Sequence, residues 1–494
     1  MSKPSGSAAP RNDLLAPLSE KMESLIADKV CMGRNSITFV ILSFEGPDVY
    51  SHVGGLGTRV IGLSDALARM GFETHLFFVG DPDLPDLEYR QRGMLHLHRW
   101  CRQTTRRHQG NAYGGQESKL REWGGTLPLW LEDHLLAPKL AEGGRVVVLA
   151  EEWHMAPTII ALRRIIERRN WQRQVQLVWN ANNTYSFDRV DWERLRQAAT
   201  LTTVSRHMKQ IMAGMGVEAQ VIANGIPQRW LRTPAAVAHR ELSSLFRGRH
   251  TLVKMARWDP DKSWCASIDA VTILKRAGLR PLLIARGGAE AYGRDVLAHA
   301  ANRGLSVSRV SWDGTSAGAL TRALGQGTSS DVILLEKHVT ESQRRALFQT
   351  ADAVLANSRW EPFGLVGLET MSVGGIAVVG CTGEDYATPG HDSLSVQTED
   401  PFELVRCLVQ MQESPSAARR MRRMARESAA RYAWPSVIQG AMLPALGWVT
   451  AGGGMMSTTA QPALRGLAPG PVLVAGVERA RAVGAARDRA AAAA

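Results

Sequence analysis

The sequence predicts an α/β protein built from two successive domains, each a parallel sheet covered by helices on both faces. Three observations carry this reading. Short apolar runs alternate with amphipathic stretches along most of the chain, as strands and helices do in a parallel sheet. The alternation breaks at a polar stretch from Gln228 to Arg249 and restarts at Leu252. At 494 residues, the chain is also too long for one typical core.

In order, residues up to about Asn35 read as a leader with one short amphipathic helix, Leu18 to Ile26. Ile37 to Phe44 is a continuous apolar run, as for a buried first strand. A glycine-rich turn and a helix from about Leu56 to Met70 follow, and Gly71 stops the helix. Further first-domain strands are expected at Thr74 to Val79, Val146 to Ala150, Val175 to Trp179, Leu201 to Val204 and Val221 to Ile222. Trp100 to Pro128 is polar and rich in arginine and glycine, an insertion of the kind that shapes a binding mouth. Second-domain strands are expected at Leu252 to Ala256, Pro281 to Ala285, Arg309 to Trp312, Val332 to Leu335 and Ala353 to Leu355. A cleft between two such domains is the natural ligand site. Beyond Thr450, glycine, alanine, proline and arginine dominate, a composition that buries little.

Bulk composition narrows the class. With 45% hydrophobic and 21% charged residues the chain reads as an ordinary soluble globular protein. No apolar run reaches the ~20 residues needed to span a bilayer. The polar start, Met1 to Asn12, lacks a secretory apolar core. Five scattered cysteines without a Cys-x-x-Cys pair argue against structural zinc and a disulfide framework, and point to a reducing cytoplasm. The net charge of +12 is dispersed: Arg163-Arg164, Arg168-Arg169 and the Arg419 to Arg423 cluster fall on helices and read as solvated surface. That argues against nucleic acid and leaves open a weak peripheral contact with anionic membrane.

Ser358 to Gly375 carries the most chemistry. A strand, Ala351 to Ala356, runs in, and another, Ile376 to Gly380, leaves. Between them Pro362 and Gly364 break the chain and a helix begins. Glu361 and Glu369 stand eight residues apart, close to two helical turns, so both carboxylates can address one side of the element. A helix N-terminus suits a phosphate, and carboxylates beside it suit the hydroxyls of a sugar and a ribose. A helix whose polar face merely carries two glutamates is the plain alternative. After the first strand of the second domain comes Arg257-Trp-Asp-Pro-Asp-Lys262, a planar fork and a point charge suited to a diphosphate. Surface ion pairs with Asp259 and Asp261 are the plain alternative there.

The Glu361 to Glu369 segment resembles the Glu-x7-Glu signature of family 4 glycosyltransferases, with the residues between the glutamates matching too. That resemblance implies the GT-B arrangement of two Rossmann-like domains facing across a cleft. It further implies that Glu361 contacts the donor sugar and Glu369 the nucleotide ribose. Backbone amides near Phe363, Gly364 and Leu365 would help hold sugar and phosphate. The Arg257 to Lys262 loop is similar to the family's Gly-Arg-Leu-x-x-x-Lys-Gly element, with Ala256 and Ser263 in place of the flanking glycines. By that likeness Arg257 and Lys262 neutralise the departing diphosphate. The corresponding boundaries are a leader (1–35), an acceptor domain (36–227), a linker (228–250), a nucleotide-sugar domain (251–432), a crossover helix (433–450) and a disordered tail (451–494). The crossover helix would begin at Tyr432-Ala-Trp434 and return to the first domain as a hinge element.

In the first domain, Gly54-Gly55-Leu56-Gly57 lets backbone amides approach a donor at a helix N-terminus, unless it is a plain tight turn. It is similar to the family's first loop, although His52 stands where glycogen and starch synthases carry lysine. Glu152-Trp-His154 resembles the Asp-Trp-His element of glycogen synthases, placing His154 near the reacting sugar, where a merely structural histidine is the alternative. Thr203 to Arg206 and Val221 to Ile226 match landmarks lining the cleft, with Ala223 in place of a proline and Pro227 of an aspartate. The two Asp-Pro-Asp triplets, at 81–83 and 259–261, read as turns rather than metal ligands.

The function expected is a retaining, metal-independent transfer of a sugar from a nucleotide-sugar donor to an acceptor hydroxyl, with no cofactor. Donor binding falls to Gly54, Gly55, Arg257, Lys262, Glu361, Phe363, Gly364, Leu365 and Glu369, and catalysis to His154, Arg257, Lys262 and Glu361. Rival readings are an α-glucan synthase using ADP- or UDP-glucose, a non-catalytic nucleotide-sugar sensor, and an epimerase or hydrolase on the same fold.

Overall fold

The computed structural model describes residues 36–108, 110–234, 236–451 and 454–457. The leader with its expected helix lies outside the described residues, as does most of the tail. The first sheet has eight strands: β1 (Ile37–Leu42), β2 (Glu73–Val79), β3 (Leu87–Arg90), β4 (Leu95–Trp100), β5 (Arg145–Glu151), β6 (Val175–Ala181), β7 (Thr200–Thr203) and β8 (Gln220–Val221). Their spatial order is β3-β4-β2-β1-β5-β6-β7-β8. All neighbours are parallel except β3 against β4. Every residue of β1 is buried, which is why it reads as one unbroken apolar run: a central parallel strand is covered on both faces.

The second sheet contains β9 (His250–Met255), β10 (Pro281–Arg286), β11 (Val307–Val310), β12 (Val332–Leu335), β13 (Ala353–Ala356), β14 (Ala377–Val379) and β15 (Leu394–Ser395). It is wholly parallel, in the order β11-β12-β10-β9-β13-β14-β15. Two α/β domains therefore stand as the patterning predicts.

The differences have physical reasons. β3 and β4 have no counterpart among the expected strands, because Leu95-His-Leu-His-Arg-Trp alternates apolar with polar at the sheet margin and lacks an apolar run. Trp100 to Pro128, expected to be a loop-like insertion, is largely helical over Arg102–Arg106 and Gln116–Leu131, with Trp123 and Leu127 fully buried. The stretch read as a linker contains the helix Ala236–Leu245, whose Ala238 and Leu242 are buried. Arg422, read as solvated surface, instead reaches inward from helix Pro415–Ala430 to the carbonyls of Gln349, Ala351 and Gly374. Residues Trp448–Ala451 and Gly454–Ser457 pair as an antiparallel hairpin where an unstructured tail was expected from 451.

Near its end the chain returns to the first domain. Ile226 forms a parallel bridge with Ala433, its N–H donating to the Tyr432 carbonyl and its carbonyl accepting the Trp434 N–H. The Trp434 indole then enters the apolar layer formed by Val60, Leu63, Leu67 and Ile222. Helix Gly55–Arg69 and the 222–226 loop admit it only because Gly62 and Gly225 have no side chain: a Cβ on either would run into the indole ring. Gly225→Ala is therefore expected to destabilise the protein by about 1–3 kcal/mol. Gly124→Ala, at an exposed helical position with open space around it, is expected to stabilise by about 0.5–1 kcal/mol. Chemical denaturation of the two variants beside the parent checks both signs.

Candidate active site

In an open parallel sheet the loops at the carboxyl edge diverge where the strand order reverses, leaving a crevice between them. The first sheet reverses between β1 and β5, and the second between β9 and β13. Each pair is adjacent and hydrogen-bonded. The loops after these four strands carry most of the residues singled out above.

In the second domain, Lys262 and Glu361 meet. Lys262 ends a short 3₁₀ turn, Pro260–Lys262, and its Nζ lies 2.6 Å from Glu361 Oε2. The Glu361 backbone is pinned by Thr382, whose hydroxyl accepts the Glu361 N–H and donates to its carbonyl, both at 3.0 Å. Ser263, standing where the resembled element carries a glycine, adopts φ 50°, in the left-handed region that favours glycine. Behind Lys262, the buried Lys254 amine donates to Asn357 Oδ1 at 2.6 Å and to the Leu355 carbonyl, joining the ends of β9 and β13. Burial, followed by the charge of Lys262, brings its pKa down to about 7. The Arg257 side chain is largely exposed and lies 4.0 Å from Asp259.

Helix Leu365–Ser372 starts after Gly364, which takes φ 77°. A Cβ there would press on Glu361, Tyr386 and Glu384, at 3.1 to 3.2 Å. Glu369 is buried within the helix and accepts from Arg344 at 2.9 Å. Burial raises its pKa while Arg344 pulls it back.

In the first domain, Glu45 clasps the glycine-rich loop. Its Oε2 accepts the backbone N–H groups of Val53, Gly54 and Gly57 at 2.8 to 3.1 Å, and its Oε1 accepts the Tyr113 hydroxyl at 2.7 Å. Gly57 is required, since a Cβ would meet His52 and Glu45. Gly54 and Gly55 have open space on their Cβ side. His154 follows β5 and is stacked between Phe44 and Trp153, with ring centroids at 4.5 and 4.0 Å. Its Nε2 lies 3.2 Å from Gln116 Oε1, while Nδ1 is buried without a hydrogen-bond partner. Burial and the Arg189 charge hold the ring neutral, with a pKa of about 3. Glu152 sits at φ 70° and is fully enclosed, so burial raises its carboxyl to about 8.

A cavity of about 300 Å³ lies between the domains. Thr58, Gly62 and Gly225 line one side, and Arg344, Leu365 and Glu369 the other. Across the cleft, ion pairs Arg206–Asp385 and Arg229–Glu341 tie the domains together.

Residues 53–229 match the model for Glycosyltransferase Family 4, and residues 321–428 that for Glycosyl transferases group 1. Together they span more than half of the chain. It belongs to the family 4 glycosyltransferases. Among solved structures, sucrose-phosphate synthase from Thermosynechococcus elongatus aligns with a TM-score of 0.56 at 17% identity, over 81% of this chain and 96% of that one. The catalytic domain of starch synthase IV from Arabidopsis thaliana, bound to ADP and acarbose, gives 0.55 at 16%, over 80% and 97%. An α,α-trehalose-phosphate synthase (UDP-forming) from Burkholderia xenovorans gives 0.56 at 15%, over 83% and 99%. These likenesses establish the GT-B fold of this enzyme. No curated protein matches it in sequence.

The glycosyltransferase brings Lys262, Glu361 and Gly364 together, with Phe363 buried beneath. It does not place Glu361 and Glu369 on one helical face, because the helix begins only at Leu365. Glu361 turns to Lys262, and Glu369 to Arg344 and the cavity. The amides of Gly54 and Gly57, expected to face a ligand, are already engaged by Glu45. His154 lies beneath the loops rather than in the cavity wall.

Two acids escaped the sequence reading. Glu45 follows the first strand directly, an acid just ahead of a glycine-rich loop, which is a usable signal. Glu384 leaves no such mark. It is buried, its Oε1 lacks a hydrogen-bond partner, and burial followed by the Glu361 charge raises its pKa to about 7. A raised acid pKa contributes stability below the ordinary carboxylate value, and that contribution is lost as pH rises through about 7. Glu384→Gln, fixed in the neutral form, should thus melt higher than the parent at pH 8 and show no such advantage at pH 4. A difference on the order of 2 kcal/mol follows from the shift, and thermal melts across that range measure it.

Among the described residues, no helix is long and apolar enough to cross a membrane.

Proposed function

We propose that this enzyme moves a sugar from a nucleoside diphosphate to an acceptor hydroxyl, with retention of anomeric configuration and without a metal at the diphosphate. The observation that carries the reading is the 2.6 Å contact between Lys262 and Glu361, which joins a cationic loop to a sugar-facing acid where the strand order reverses. Lys262, the exposed Arg257 and the start of helix Leu365–Ser372 supply positive potential of the kind that stabilises charge developing on a leaving diphosphate. Both Asp-Pro-Asp triplets are spent on turns, Asp81 accepting the Asp83 N–H and Asp259 that of Asp261, each at 2.9 Å.

In the proposed step, the bond from the anomeric carbon to the diphosphate oxygen breaks, and a bond to the acceptor oxygen forms on the same face. The acceptor proton passes to the departing phosphate oxygen, so the protein need supply no nucleophile. Glu361, with Glu384 beside it, orients the sugar hydroxyls, and Glu369 held by Arg344 takes the ribose. Gly54 and Gly55 leave room for the donor to approach the first domain. His154, neutral across the physiological range and stacked beneath the loops, supports the first-domain side of the sugar site through Phe44, Trp153 and Gln116 rather than by proton transfer. A cytoplasmic location belongs to the proposal, in keeping with the free state of Cys101, Cys265, Cys381 and Cys407.

Nucleotide release measured across UDP-, ADP- and GDP-sugars with EDTA present tests the reading. Release from one donor is expected, reduced about 10²–10³-fold in Glu361→Ala and Lys262→Ala, with the product's anomeric configuration retained by NMR. Saturable donor binding without release under an acceptor screen would make the protein a sensor. Donor consumed without any acceptor would make it a hydrolase or epimerase.

A further inference from the structure

His75 lies on β2, and His96 and His98 on the neighbouring β4. The parallel register sets His75 opposite His96 and Phe77 opposite His98, so all three imidazoles rise from one face of the sheet. That face is the reverse of the one on which Leu76, Leu95 and Leu97 line the cleft cavity. One ring nitrogen from each histidine lies within 4.8 Å of the other two, and His75 Nδ1 stands 3.0 Å from His98 Nε2. Two nitrogens bound to one tetrahedral zinc are roughly 3.3 Å apart.

Hydrogen bonding fixes which nitrogens are available. His75 Nε2 faces Glu73 Oε1 at 3.2 Å, and His96 Nε2 faces the Gly93 carbonyl at 2.8 Å. Both oxygens are acceptors, so both Nε2 atoms carry the proton and both Nδ1 atoms keep a lone pair. Metal-ligating histidines are held in this way, their second nitrogen donating to a carboxylate or a carbonyl. Glu73 is itself anchored: Lys139 Nζ binds its other oxygen at 2.6 Å, and the Thr38 hydroxyl donates to the same atom at 3.4 Å. An imidazole–imidazole hydrogen bond accounts for the His75–His98 contact alone. It does not account for a third imidazole converging with its own tautomer fixed.

We propose that His75, His96 and His98 form a binding site for one first-row divalent ion of the kind imidazole favours, zinc above all, with Glu73 as the residue that orients His75. All three ligands are histidines, so the cysteine spacing that argues against a cysteine zinc site has no bearing on them. The site lies on the far face of the first sheet from the cleft cavity, and its effect is to tie β4 to β2. Sugar transfer takes no step through it.

The test is titration of the chelator-stripped full chain with Zn²⁺ alone by calorimetry, with the visible spectrum of added Co²⁺ as a second readout. One ion per chain is expected, together with tetrahedral Co²⁺ bands. Half-buried His96 can be removed with little loss of packing, and His96→Ala should bind at least about tenfold more weakly. Glu73→Gln keeps the size of the side chain and should also weaken binding about tenfold. Circular dichroism establishes that both variants are folded. Absence of saturable binding by the parent, or equal binding by the parent and both folded variants, overturns the proposal. Turnover is not the readout, so either result leaves the transfer reading to its own experiment.

Discussion

The carboxyl ends of parallel strands fall on one edge of a sheet, and a reversal of strand order forces the loops at that edge apart. The candidate active site depends on that constraint operating twice. β1 and β5 open one crevice, and β9 and β13 the other. Residues nearly a hundred positions apart, Lys262 and Glu361, become a 2.6 Å ion pair because their strands are neighbours. His154 and the Glu45-held loop come together for the same reason. The return of the chain through Trp434 then locks the first domain to the last segment of the second, with Gly62 and Gly225 making the room.

The site distributes its acids unequally. Glu45 is satisfied by three backbone N–H groups and a tyrosine, Glu361 by a lysine and Glu369 by an arginine. Glu384 and Glu152 instead lie in surroundings that favour their neutral forms near pH 7. Burial is the leading cause at both, outweighing the backbone N–H that each accepts. Glu384 thus stands, favoured in its neutral form, beside the Glu361–Lys262 pair near Gly364, and a neutral carboxyl can both donate to and accept from a hydroxyl.

Legibility from the sequence followed burial. The central strands announced themselves because covering both faces demands unbroken apolar runs, as in β1. β3 and β4, at the margin of the first sheet, carry alternating polar residues and did not. The Glu361 to Glu369 spacing suggested one helical face, but Pro362 and Gly364 delay the helix to Leu365 and send the acids to different partners. Arg422 read as surface, because nothing local reveals that three carbonyls from distant turns converge on it. His75 stands 21 positions before His96 and His98 follows two later, so only strand register brings His75 into their cluster.

By itself, then, the sequence determined the class of fold, the two domains, the family signature and the residue types of the candidate site, since periodicity and local motifs depend on neighbours along the chain. The tertiary structure alone decided which acid meets which cation, where Glu384 sits, and that His75 faces His96 and His98. Those outcomes depend on strand order, register and burial, which are set by contacts between segments far apart in sequence and leave no trace in any one of them.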